Sequence, residues 1–277
     1  PHTSHALSYD TERDKAVLLV RNGDHMETWQ FSGSQWTNRN PSTSPSLRSH
    51  GGMAYLPSIG KHVLFGGQAD DGSHLGDTWT YDTEQNVWTQ VSVDSSPPTN
   101  VHPRMVCDSR RGVIVMYGNP DTAAGTWEFD GNTWAKRDIP DPGQRFYPAM
   151  AYDPVRERVV LYGGYHSSGG GASHGDTWEY DGSQWTQAQT LGEPGLLGGA
   201  NAVYVPELNG VFLFGGVRGD NSLSNSGWSW NGSQWESADF QNAPSPRNGH
   251  HMFYQPSQRR VVLFGGSTQE GESTETW

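Results

Sequence analysis

The sequence predicts an all-β fold, a six-bladed β-propeller of four-stranded blades, and three observations carry that prediction. Trp29, Trp79, Trp127, Trp178, Trp228 and Trp277 recur at intervals of 48 to 51 residues along the whole chain. Within each interval the same strand signals follow in the same order, separated by Gly, Asn, Asp, Ser and Pro. The 277 residues include 35 Gly and 12 Trp but are only 33% hydrophobic, which suits short strands and tight turns rather than helices. A period near 50 residues marks a repeat architecture whose units are stable only against their neighbours. The chain is accordingly read as one domain with blades at about 1–46, 47–99, 100–144, 145–196, 197–246 and 247–277.

Each blade is expected to run from an inner strand A to an outer strand D. In the fourth unit the signals read "PAMAYD", "RVVLYGG", "DTWEYDG" and "SQWTQ". Strand B ends in a Gly pair at Gly66-Gly67, Gly163-Gly164, Gly215-Gly216 and Gly265-Gly266, which suits a close backbone approach or a sharp exit from the sheet. Strands C and D are joined by Asp130-Gly131, Asp181-Gly182 and Asn231-Gly232, residues that accept the positive φ of a tight hairpin turn. A second Trp follows the first in five units, at Trp36, Trp88, Trp134, Trp185 and Trp235, and these rings supply the large apolar area buried between adjacent sheets. The sixth unit stops after "TETW", before any strand D. Residues trimmed or disordered at one terminus are expected to complete it.

Composition removes several function classes. A formal charge of -12 argues against wrapping nucleic acid or coating an anionic membrane, both of which need excess Lys and Arg. The longest aliphatic run, Ala16 to Val20, is too short to span a bilayer, so a soluble protein without membrane insertion is expected. Position 1 is Pro rather than Met, so the sequence reads as a processed or trimmed product. Secretion after signal removal and a cytoplasmic location both stay open. The single cysteine, Cys107, rules out an internal disulfide and reads as a buried structural thiol.

The pattern "LFGG…GDTW.YD…W" resembles the kelch repeat, which is shared by galactose-oxidase-like enzymes, plant specifier proteins and many adaptor proteins. The resemblance covers the whole chain. Units one and three depart from it at Val20-Arg21 and Tyr117-Gly118, where the Gly pair belongs, and unit five at Ser226-Gly227-Trp228, where "DTW" belongs. The resemblance implies a ligand face built from the D-to-A and B-to-C loops around a central channel. It implies neither family's metal chemistry. The cross-linked Tyr-Cys pair of galactose oxidase has no counterpart, and the iron motif of the specifier proteins is absent.

Ten of the eleven histidines fall in those loops, His2 and His5 among them, and His62 is the exception. The arginines Arg21, Arg48, Arg104, Arg145, Arg218 and Arg247 supply one candidate per blade. A structural role, tying loops to backbone carbonyls or to the Asp of the repeat, is the first reading for each. Departures from uniformity support a functional one. His102, Tyr147 and His251 are the candidate catalytic residues. Arg21, Arg48, His50, Arg104, Arg145, Tyr165, His166, Arg218, Arg247 and His250 are the candidate ligand contacts. His50, His102 and His251 are the candidate ligands of a divalent metal with one open position. The favoured function is binding, with chemical conversion as a further step, of a small anionic or polyhydroxylated ligand at a His- and Arg-lined channel mouth, metal-assisted or by His and Tyr acid-base chemistry. The alternative is a non-catalytic module that recognises a protein or glycan with the same face.

Overall fold

The computed structural model describes residues 5–99, 102–118, 125–166, 172–238, 240 and 242–277. Among them the regular structure is almost entirely antiparallel sheet, with three short 3-10 turns at Pro57–Ile59, Pro206–Leu208 and Pro256–Gln258. No helix is long and apolar enough to cross a membrane.

Five sheets have four strands each, hydrogen-bonded in chain order A-B-C-D. Sheet one is Ala6–Asp10, Lys15–Asn22, His25–Ser32 and Gln35–Asn38; sheet two is Gly52–Leu56, Lys61–Gln68, His74–Asp82 and Val87–Val91. Sheet three is Arg104–Asp108, Val113–Tyr117, Thr126–Phe129 and Trp134–Arg137. Sheet four is Ala149–Asp153, Arg158–Tyr165, Ala172–Tyr180 and Trp185–Gln187; sheet five is Asn201–Val205, Gly210–Phe214, Gly227–Trp230 and Trp235–Ala238. The sixth repeat forms a two-stranded sheet from His251–Gln255 and Arg260–Phe264, with a single bridge from Phe264 to Thr276 where strand C is expected. Contacts divide the chain into two compact units. Residues 2–138 with 255–258 form one, and residue 1 with 139–254 and 259–277 the other.

The "DTW" motif has a separate task for each residue. In sheets two and four the Asp accepts from the indole of the Trp two residues on, at 2.6 Å for Asp77 with Trp79 and 2.7 Å for Asp176 with Trp178. The Thr accepts from the strand D Trp of the following sheet. Trp88 reaches Thr28 at 2.9 Å, Trp134 reaches Thr78 at 3.0 Å and Trp235 reaches Thr177 at 2.9 Å. These bonds are buried, so each one stitches two sheets together and spares a large ring an unpaired N–H.

The apolar side chains of strands A and B fill the space between these stitches. Phe65, Ile114, Met116 and Trp134 pack in one cluster of the first unit, and Tyr162, Val211, Leu213 and Trp235 in one of the second. The Gly pairs mark where strand B breaks register beside the next strand A. Gly163 has φ +65°, and a Cβ there would lie 2.2 Å from the Leu197 carbonyl oxygen, so no other residue fits. The Cys107 thiol is half-buried and pushed up to about 12 by burial, then by Asp108, which fits the structural role expected of it.

Candidate functional site

The six arginines have three different fates. Arg48, Arg145 and Arg247 are buried and occupy one repeat position, two residues before the bend that precedes strand A. The Arg48 guanidinium donates to the Gly66 carbonyl at 3.1 Å and to both Asp77 carboxylate oxygens at 2.7 Å. Arg145 repeats this with Gly163 at 3.1 Å and Asp176 at 2.8 and 3.1 Å; Arg247 does so with Gly265 at 2.9 Å and Glu275 at 2.8 Å. Each arginine therefore holds the ends of strands B and C together through charge-assisted bonds. Its guanidinium hold draws the Asp77 and Asp176 carboxyls below their ordinary range, against an opposing burial effect. These three are taken up by the fold rather than presented to a ligand. Arg21 is at the end of strand B of sheet one, on Asp70, and Arg218 follows strand B of sheet five, on the Leu223 carbonyl and the Ser226 hydroxyl, the last two at 3.0 Å. Arg104 alone among them is a strand A residue, opposite Tyr117.

Two residues ahead of strand A the backbone turns left-handed in every described repeat that has the position: φ is 59° at His50, 64° at His102, 51° at Tyr147, 69° at Gly199 and 66° at Gly249. Successive members are joined by backbone bonds from His102 N to His50 O at 2.8 Å, Gly199 N to Tyr147 O at 3.0 Å and Gly249 N to Gly199 O at 2.9 Å. Glycine takes this conformation freely, whereas a side chain there costs about 1 kcal/mol or more. The chain nevertheless places two His and a Tyr at it.

In the first unit, His50 and His102 face each other with ring centroids 4.0 Å apart. Burial pushes the His50 imidazole down to about 4. His102 goes down to about 2, first by burial and then by the neighbouring positive charge of His50, Arg104 and His74. Both rings are neutral near pH 7, and no carboxylate contributes to either shift. The cluster sets two neutral imidazoles beside the Arg104 guanidinium and His74.

The second unit holds the other candidates. The Tyr147 and Tyr165 rings meet edge to face at 5.9 Å, and the Tyr165 hydroxyl donates to the Gly198 carbonyl at 3.2 Å. A Cβ at Gly198 would touch the Tyr165 ring at 2.6 Å, so glycine lets the tyrosine lie flat on the backbone. His250 is buried against Phe214, with centroids 5.7 Å apart, and its ring fills the space a Cβ on Gly215 would need. It packs the sheet rather than facing a ligand. His166 is exposed, 5.8 Å from the ring of His174. His251 is the first residue of its strand.

The three candidate metal ligands do not share one repeat position. Strand A begins at Gly52 and at His251, so the repeat equivalent of His50 is Gly249, and His251 corresponds to Gly52. Among the described residues no group of three or more His, Cys, Asp or Glu side chains is placed to hold a metal ion. Of the catalytic candidates, His102 lies in one unit and Tyr147 and His251 in the other. His2 lies outside the described residues.

No protein-family model and no curated protein sequence matches the chain. Solved structures do. The structure of YjhT aligns with a TM-score of 0.77 over 100% of this chain and 94% of its own, at 15% sequence identity. The fold is a β-propeller. In all, 249 chains of solved structures match, and a shared architecture does not by itself name an activity. Function has to be argued from the residues that the blades present. Among those, His74 and the stitching threonines were the hardest to see in advance: His74 looks like any loop histidine, and the Thr before each Trp is visible only as a repeated letter.

Proposed function

We propose that this propeller is six-bladed and of kelch type, and that it binds a small anionic ligand through His50, His74, His102 and Arg104. The observation that carries the reading is the pair of depressed imidazoles packed at 4.0 Å beside a guanidinium. An anion placed there meets the positive charge of Arg104, accepts hydrogen bonds from the imidazoles and favours their protonated form. The left-handed backbone at His50 and His102 supports the same reading, because a fold keeps side chains at a glycine position when those side chains are used.

Binding is better supported than conversion. An imidazole held that far below neutrality is a weak base, so proton abstraction by His102 needs the bound anion to restore its basicity first. The test is calorimetric titration with acetate, succinate, citrate and phosphate between pH 8 and pH 5. Affinity for the ligand that binds is expected to rise on acidification, with net proton uptake, and to fall at least about tenfold in Arg104→Gln, the loss of one charged hydrogen bond. Binding that is independent of pH and unchanged in Arg104→Gln would overturn the assignment.

A further inference from the structure

Blade five departs from the repeat at three positions around its strand C Trp, Ser226, Gly227 and Ser237, and each of these departures removes bulk or charge. In four other repeats a carboxylate two residues upstream takes the indole N–H: Glu27 for Trp29, Asp77 for Trp79, Asp176 for Trp178 and Glu275 for Trp277. Before Trp228 the residue is Ser226, whose hydroxyl accepts from Arg218 at 3.0 Å, and the Trp228 indole has no protein acceptor among the described residues. Opposite this Trp in strand D the other blades carry Asn38, Gln90, Lys136 and Gln187, where blade five has Ser237. Between them, Gly227 replaces the Thr of the motif. A Cβ at Gly227 would lie 2.4 Å from the Phe240 ring, so the glycine admits a second aromatic wall.

The result is a surface pocket of about 240 Å³, lined by Asn225, Ser226, Gly227, Trp228, Ser237 and Phe240 together with two alanines. No charged residue lines it. We propose that this pocket is a site for one neutral sugar ring, stacked on Trp228. The volume is below the roughly 300 Å³ at which drug-sized pockets begin, and suits a single ring. A half-buried indole face and a phenyl ring offer apolar area to the C–H face of a pyranose. Two serine hydroxyls, an amide and the unpaired indole N–H meet its hydroxyls. An apolar occupant would leave that N–H unsatisfied, and an anion would find no cation in the lining. The site is independent of the anion cluster, since it uses other residues on another blade.

The test is titration of 15N-labelled protein with the methyl glycosides of glucose, galactose and mannose, following the indole N–H signals. The Trp228 signal, identified by its loss in Trp228→Phe, is expected to shift with at least one glycoside while the other indoles stay in place. Ser237→Gln restores the side chain that covers this Trp elsewhere and should weaken binding at least tenfold with the melting temperature unchanged; Arg104→Gln should leave it as it is. A Trp228 signal that moves with none of the three glycosides, or equal binding in Ser237→Gln, overturns the proposal.

Discussion

His62 makes the propeller acid-sensitive in a way that one substitution should remove. It is fully buried in strand B of sheet two, between Tyr55 and Tyr81, with ring centroids 5.1 and 6.3 Å away. Its Nδ1 shares a 2.6 Å hydrogen bond with the Ser8 hydroxyl, and its Nε2 has no partner. Burial pushes the imidazole from 6.5 down to about 3, outweighing the opposite pull of Asp10. The unfolded chain therefore takes up a proton near pH 6.5 that the folded chain refuses until about pH 3, so stability falls as pH drops through that window and is fully present above it. At pH 5, about 1.5 units below the unfolded value and at about 1.36 kcal/mol per unit, the loss is about 2 kcal/mol. Valine occupies the same place in sheets four and five, as Val159 and Val211, so His62→Val fits the strand. Coupling it with Ser8→Ala avoids stranding the hydroxyl. Urea unfolding of both proteins, followed by Trp fluorescence at pH 8, 7, 6 and 5, should give the double variant a shallower loss of stability by about 2 kcal/mol. His50 and His102 contribute with the same sign in both proteins and cancel in the difference. Parallel pH profiles would refute the reasoning.

The other expectations follow from the repeat chemistry. Arg145→Met should cost about 3 kcal/mol in denaturant unfolding, because it leaves Asp176 half-buried without its counter-charge, while Arg247→Met should cost less, since its partner Glu275 is largely exposed. Thr177→Val keeps the shape but strips the buried Trp235 indole of its acceptor, and should cost about 1 to 3 kcal/mol by the same measurement. Gly163→Ala should abolish soluble expression or cost well over about 3 kcal/mol, whereas Gly23→Ala, with nothing within 4 Å of the added carbon, should cost only the left-handed penalty of about 1 kcal/mol. A Gly23→Ala defect as large as that of Gly163→Ala would mean that backbone strain, not the Leu197 contact, sets the Gly pair.

The strands could be read from the sequence because neighbours in each sheet are neighbours in the chain. The order A-B-C-D is a run of hairpins, so periodic Trp, Gly pairs and Asp-Gly turns are sufficient, and all five complete sheets fall inside the expected intervals. The expected count of six meets five four-stranded sheets, while strands A and B of the last repeat form a two-stranded sheet whose strand C position has a bridge at Thr276. The propeller arrangement followed from the same period, and the TM-score of 0.77 agrees with it.

The candidate site was legible only as a list of residue types. Arg48, Arg104 and Arg145 look alike in one dimension, yet Arg48 and Arg145 meet a carboxylate about 30 residues downstream while Arg104 stands opposite Tyr117 beside two imidazoles. An offset of two residues between His50 and His251 is invisible when loops vary in length, but it carries the side chain from a left-handed bend into a strand. Local hydrogen-bond geometry and turn chemistry act over a few residues, and the sequence determined what depends on them: strands, turns and the repeat. Charge, burial and the pairing of His50 with His102 depend on residues some 50 positions apart, and those only the tertiary structure decided.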